Sequence, residues 1–264
     1  IIAFGAHPDD AEFQMGGTAI MFARAGHKVK LISVTNGDIG HWRMSGGALA
    51  IRRTKEVKEA AKRMGIEVEV LDIHDGELEP TLENRKKIIH MVRTYTPDLI
   101  LTHRPNDYHP DHRYTSILVQ DSAYLVTVPN ICTDTPALSY NPVITYLSDN
   151  FQKPPPFSPQ VAVDIDDAVE KKMDMLHCHG SQMYEWLPYN SNRLEEVPET
   201  NQERRQWLEH RLSQFKSIAD RYRHLLIERY GEEKGARVQH AEAFEGCEYG
   251  GALTDENIPV LFPF

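Results

Sequence analysis

The chain has 264 residues, 41% of them apolar, with 39 acidic against 29 basic side chains and a formal charge of −10. That length allows one sizeable core, the acidic balance argues against nucleic acid or an anionic membrane as partner, and no apolar run reaches the ~20 residues of a membrane span. Three cysteines, Cys132, Cys178 and Cys247, are odd in number and lack C-x-x-C spacing, which favours a reducing, cytoplasmic compartment. The sequence begins inside an apolar run, Ile1-Ile2-Ala3-Phe4, so an upstream signal already removed leaves a secreted or periplasmic location open.

The first half alternates two kinds of segment. Ile1–Ala6 reads as a buried strand, and Ala11–Arg24 as a helix with Met15, Ala19, Phe22 and Ala23 on one side and Gly26 closing it. Val29–Val34 is a second strand, followed by a loop containing Asn36-Gly37-Asp38 and Gly46-Gly47. Ala48–Met64 reads as a second helix ending at Gly65, Val68–Leu71 as a third strand, and Asn84–Tyr95 as a third helix stopped by Pro97. Asp98–His103 is then a fourth strand, Arg113–Leu125 a helix, and Val143–Leu147 and Gln160–Val163 two further strands. Strand and helix alternating at these intervals predict a Rossmann-like, mostly parallel sheet with helices on both faces. Residues 188–206 are polar, and Trp207–Tyr230 carries one apolar stripe, Leu208, Leu212, Phe215, Ala219, Tyr222 and Leu226. The expectation is one α/β domain over 1–264, with a polar insertion and a long extra helix around 188–235 that packs on the sheet or on a second subunit.

Two polar clusters leave the carboxyl ends of strands, where ligand sites of open α/β sheets lie. The first is His7-Pro8-Asp9-Asp10-Ala11-Glu12, and the second is His103-Arg104-Pro105-Asn106-Asp107-Tyr108-His109-Pro110-Asp111-His112. Catalytic zinc takes three imidazole or carboxylate ligands and keeps one position open for water. His7 and Asp10, three apart across a turn begun by Pro8, can supply two and His112 a third. Asp9 is then free to exchange a proton with the water, and His109 to face a substrate carbonyl with Asp111 holding its ring. Plainer readings stand beside these. An acid before a helix is a good cap, and His109 and His112 taken alone are ordinary loop residues.

His7-Pro8-Asp9-Asp10 with Gly16-Gly17 after it, and His109-Pro110-Asp111-His112 later, resemble the PIG-L/LmbE family of zinc-dependent de-N-acetylases. Arg53-x-x-Glu56, Ala60-Ala61 and Gly65 are similar to its second-helix signature, and Pro97-Asp98-Leu99-Ile100 to its approach to the second metal motif. Val163-Asp164-Ile165, Lys171, Ser181-Gln182 and Ala241-Glu242-Ala243-Phe244 resemble its late segments, so the likeness spans residues 1–185 and 238–246. The resemblance implies His7, Asp10 and His112 as zinc ligands, Asp9 as general base and then acid, and His109 with Asp111 as stabilisers of the tetrahedral oxyanion. At the position two before His109, where some members carry tyrosine, this chain has Asp107.

Arg53, Asn36 and Asp107 are candidates for contact with substrate, Arg53 through a hydroxyl or phosphate. A solvated helix-start arginine and a plain N-G-D turn are the bland readings of the first two. Gly16-Gly17 lacks the Lys-Ser/Thr of a phosphate loop and is better explained by close helix packing. His177-Cys178-His179 has spacing that suits no common metal site, and Trp186 and Trp207 are either a sugar-stacking lip or core anchors. The activity expected is zinc-dependent removal of acetyl from an N-acetylated amino sugar or glycoconjugate, an N-acetylglucosamine derivative first among them. A different metalloenzyme, such as a non-haem iron protein or another amide hydrolase, and a non-catalytic zinc- or sugar-binding protein are the alternatives. A homo-oligomer is left open.

Overall fold

The computed structural model describes residues 1–264. Its first half follows the expected alternation: β1 (Ile2–Gly5), α1 (Asp10–Arg24), β2 (Lys30–Ser33), α2 (Gly46–Met64), β3 (Glu67–Val70), α3 (Leu82–Tyr95), β4 (Leu99–Thr102) and α4 (Pro110–Ala123). After β5 (Val143–Leu147) and β6 (Val161–Asp164) come α5 (Val169–His177), a π-helical turn over Gln182–Trp186, α6 (Leu187–Asn190) and α7 (Asn201–Trp207). A 3₁₀ turn, Leu208–Arg211, leads into α8 (Leu212–Arg221) and α9 (Arg223–Tyr230), and the last strand is β7 (Ala241–Gly246). No helix is long and apolar enough to cross a membrane.

One sheet runs in the order β3-β2-β1-β4-β5-β7-β6. The pairings from β3 to β5 are parallel, with Ala3 of β1 beside Leu31 on one side and Leu101 on the other. Strand order reverses between β1 and β4, so the crevice beyond their carboxyl ends is the switch point of the sheet. Alternate residues supply its two faces, as the two-residue period of a strand requires. Ile2, Phe4, Ile32 and Ile100 pack with Ile88 and Leu118 of α3 and α4. Ala3, Leu31 and Leu101 pack with Met15 of α1 and Phe215 of α8.

Three features depart from the sequence expectation. Ala241–Gly246 is a strand, antiparallel to both β5 and β6 and inserted between them, where its two glutamates and two alanines gave no strand signal. The long helix is interrupted at Tyr222 (φ −110°, ψ 30°), although its stripe is buried as expected through Phe215, Ala219, Tyr222 and Leu226. The buried lysine of α5 is Lys172; Lys171 is exposed. Lys172 Nζ donates to Glu242 Oε1 (2.5 Å) and to Phe13 O (2.7 Å), while Glu242 accepts the Gly17 and Thr18 N–H groups (2.9 and 2.7 Å). A buried ion pair thus enters the hydrogen-bond ladder of α1. Gly17 is required there, because a Cβ would lie 2.8 Å from Ile165 Cγ2 and 3.1 Å from Glu242 Oε1.

Candidate metal centre and cleft

Strand β1 ends at Gly5 and delivers His7 to the switch point. The chain then turns sharply, with the His7 carbonyl accepting Asp9 N–H (2.9 Å) and Asp10 Oδ2 accepting His7 N–H (2.7 Å). Strand β4 ends at Thr102, and His112 enters the first turn of α4. Three atoms from these two segments converge. His7 Nδ1 lies 3.3 Å from Asp10 Oδ2 and 3.3 Å from His112 Nε2, and Asp10 Oδ2 lies 3.5 Å from His112 Nε2. A tetrahedral ion with bonds of about 2.0–2.2 Å sets its ligand atoms about 3.3–3.6 Å apart, so the triangle has the dimensions of one face of such a site.

The outer nitrogens of both imidazoles face carboxylates, as metal-ligating histidines usually do. His7 Nε2 is 3.1 Å from Asp75 Oδ1 and 3.4 Å from Asp111 Oδ2, and His112 Nδ1 is 3.1 Å from Asp107 Oδ1. Burial opposes the charged form of His7, but Asp10, Asp111 and Asp75 outweigh it and hold its pKa well above the ordinary value. The pocket demands positive charge. Three further groupings of donors occur, His7 with His109 and His112, Asp10 with His103 and His112, and His7 with Asp75 and Asp111. His103 is already engaged, because its Nε2 accepts the Ala6 N–H (3.0 Å) and its ring stacks on His112 at 4.1 Å.

Asp9 stands at the N-cap of α1 but makes no cap hydrogen bond, and its backbone is strained (φ 151°, ψ −23°). Its Oδ1 accepts from Arg53 Nη2 at 3.0 Å. Burial raises its pKa to about 6, against the pull of Arg53 and with a push from Asp10. Arg53 is 3% exposed, so neither solvent nor a substrate mouth surrounds it. It also donates to Pro8 O (3.2 Å) and Gly37 O (3.1 Å), clamping Asp9 to the loop after β2. A Cβ at Gly37 would meet Arg53 Nη1 at 2.3 Å. Asn36 is buried and bonded to Asp72 (3.1 Å). Of the three residues expected to touch substrate, only Asp107 lines the open cleft, and its carboxylate is turned to His112.

His109 is the N-cap of α4, its Nδ1 accepting Asp111 N–H at 3.2 Å. That bond leaves the proton on Nε2. The Asp111 carboxylate does not hold the His109 ring as expected. It accepts Gly76 N–H (2.7 Å) and faces His7, because the first turn of α4 directs it inward to a 0% exposed position. Burial and the neighbouring His7 and His112 lower the pKa of His109, with Asp111 opposing only in part.

The cleft in front of the triangle has a volume of about 800 Å³. Asp9, Asp10, His103, Tyr108 and His112 line it, together with Gln14, Arg211, Gln214, Ser217 and Arg221. The second group comes from α1 and from the segment that the sequence read as an extra helix packed on the sheet or on a second subunit. Trp186 stacks on Tyr189 (5.9 Å), the Trp207 ring lies tilted against His210 (4.4 Å), and neither tryptophan lines the cleft. His177 is bonded to Tyr184 (2.6 Å) and Cys178 to Asp174 O (3.3 Å), so the His177-Cys178-His179 run does not converge on one point. Asp75 and His103 were not singled out from sequence, although each follows the carboxyl end of a parallel strand.

A doubly wound sheet whose switch-point crevice brings a His–Asp–His triangle beside the half-buried carboxylate of Asp9 is a framework suited to a metal-dependent hydrolase. The family described as PIG-L, GlcNAc-PI de-N-acetylase, matches residues 2–123. Diacetylchitobiose deacetylase of Thermococcus kodakarensis is 30% identical over 200 residues, covering 72% of this chain and 74% of that protein. The solved structure of N,N'-diacetylchitobiose deacetylase from Pyrococcus horikoshii, bound to its inhibitor, superposes with a TM-score of 0.71 at 26% identity, over 93% of this chain and 82% of that one. The 4-oxalmesaconate hydratase of Pseudomonas putida is 22% identical over 202 residues, covering 74% of this chain and 78% of that protein. The chain belongs to the PIG-L de-N-acetylase family.

Proposed function

We propose that the protein is a zinc-dependent N-deacetylase acting on an N-acetylated amino sugar, an N-acetylglucosamine derivative, with His7, Asp10 and His112 as the metal ligands and Asp9 as general base and acid. The observation that carries this is the triangle of donor atoms 3.3–3.5 Å apart with Asp9 beside it and outside it. An ion held there supplies an electrophile for the amide carbonyl and acidity for a water. Asp75 and Asp111 orient His7, and Asp107 orients His112, so both rings present their lone pairs to one point.

Asp9 takes a proton from the water as its oxygen bonds to the carbonyl carbon. It returns that proton to the amide nitrogen as the C–N bond breaks, giving acetate and the free amine. A pKa of about 6 suits both halves of that exchange near neutral pH. His109, neutral with its proton on Nε2, is the donor for the oxygen that gains charge.

A second reading, hydration of a carbon–carbon double bond, has the Pseudomonas putida relative behind it. Metal analysis and an acetate-release assay over N-acetylglucosamine, its phosphates and N,N'-diacetylchitobiose separate the two. About one zinc per chain with acetate release is expected, and Asp9→Asn should keep the metal yet lose about 10²–10⁴ in rate. Metal retained in His7→Ala, Asp10→Ala and His112→Ala, or lost in His109→Ala, would overturn the ligand assignment.

A further inference from the structure

Three arginines line the cleft, and their partners differ. Arg104 is consumed, donating to Asp149 Oδ1 (3.0 Å) and Pro155 O (2.7 Å). Arg221 donates to Asn150 Oδ1 (3.0 Å), a neutral acceptor. Arg211 makes no ion pair and no hydrogen bond, and its buried Nε has no partner. It leans over the Phe13 ring at 5.7 Å, which fixes the guanidinium plane without neutralising it. Arg193 repels it and Asp9, in the same cleft, attracts it.

Arg211 does not stand alone. Arg211, Gln214, Ser217, Ile218 and Arg221 all line the cleft, at spacings that place them on one side of the turn into α8 and of α8 itself. The side next to it carries Phe215 and Ala219 into the core. The cleft therefore has a rail of donors facing it, ending in a cation at each extreme. Ten residues of helix at about 1.5 Å each extend that rail over about 15 Å.

A half-buried guanidinium left unpaired is costly unless a ligand supplies the anion. Asp9, Asp10, Asp107 and Asp149 also line the cleft, and of its three arginines Arg104 and Arg221 already have acceptors, so an anionic group has its free partner at Arg211. We propose that Arg211 is a specificity-determining residue that binds a phosphate or carboxylate substituent of the substrate, so that the preferred substrate is an anionic N-acetylated sugar rather than a neutral one. This inference rests on the deacetylase reading of the cleft.

The test uses the zinc-loaded full chain with N-acetylglucosamine, N-acetylglucosamine 6-phosphate and N-acetylmuramate, which carries a carboxylate. The wild type should favour one of the two anionic sugars, and that choice identifies the anion. Arg211→Gln should lose about ten- to a hundredfold in kcat/KM on it, mainly through KM, with the neutral sugar changed less than about twofold. Arg211→Lys should keep part of the preference, because charge survives and the planar fork does not. An equal loss on neutral and anionic sugars, or no anionic preference in the wild type, overturns the assignment.

Equilibrium binding of glucosamine 6-phosphate and muramate supplies a readout independent of turnover. Tighter binding of either by wild type than by Arg211→Gln upholds the anion site even if no acetate is released, an outcome that sinks only the deacetylase reading. Equal binding of both ligands by the two proteins overturns the site.

Discussion

In the proposed reaction Asp9 concentrates the chemistry, because its carboxylate is held by Arg53 rather than by a ligand position. Arg53 favours the ionised form, so removing that guanidinium must raise the pKa of Asp9 above its value of about 6. The active form of a base is the carboxylate, and activity falls as pH drops through its pKa. Arg53→Gln should therefore move the acid limb of the kcat/KM profile to higher pH, while metal content stays unchanged. A limb that stays in place or moves down would show that Arg53 does not set the charge of Asp9. At this scale the meeting of His7, Asp10 and His112 at one point, with Asp9 beside it, was legible, since the proposed ligand chemistry restricts residue type and spacing. The role of Arg53 was not legible, because a helix-start arginine looks the same whether it meets solvent or a carboxylate 44 positions earlier. Asp111 was misassigned for a similar reason: only the pitch of the first turn of α4 decides which histidine it faces.

Elements are held in register by a contact that the sequence did not indicate, the Lys172–Glu242 pair. It joins α1, α5 and β7 at a point with 0% exposure on both side chains, where a lone charge is far costlier than the pair. Glu242→Gln should destabilise by about 3–5 kcal/mol, seen as a fall in denaturation midpoint, with zinc content of the folded fraction unchanged. Replacing both residues by apolar ones of similar volume should recover much of that loss. If Glu242→Gln leaves the midpoint where it was, the pair carries no such burden. Strands β1, β2, β4 and β5 were legible as apolar runs, because buried parallel strands have no polar face to interrupt them. Strand β7 was not, since the burial of its glutamate depends on a lysine elsewhere in the chain. The interruption at Tyr222 was hidden as well, because the apolar stripe continues through it without a glycine or proline.

The molecule as a whole carries an excess of acid, and part of that excess is packed around the triangle as Asp10, Asp75, Asp107 and Asp111. A cation bound there favours the folded chain alone, since the unfolded chain has no such pocket. Added zinc should raise the denaturation midpoint and a chelator lower it, with about 2.7 kcal/mol gained at a hundred times the dissociation constant. The response should shrink in His112→Ala, and an undiminished response there would place the stabilising ion elsewhere.

The position of β7 has a consequence for the order of assembly. Every atom of the triangle, with its supporting carboxylates, belongs to the first 112 residues, and β1 to β4 pair without help from downstream. Strand β6 touches no strand but β7, and β7 arrives only after the whole of α5 to α9 has been made. Closing that long loop carries an entropic cost that the local crossover units avoid. A nascent chain thus completes the proposed metal centre early and the helices bearing Arg211 late, so any selectivity that Arg211 confers is acquired after the centre itself.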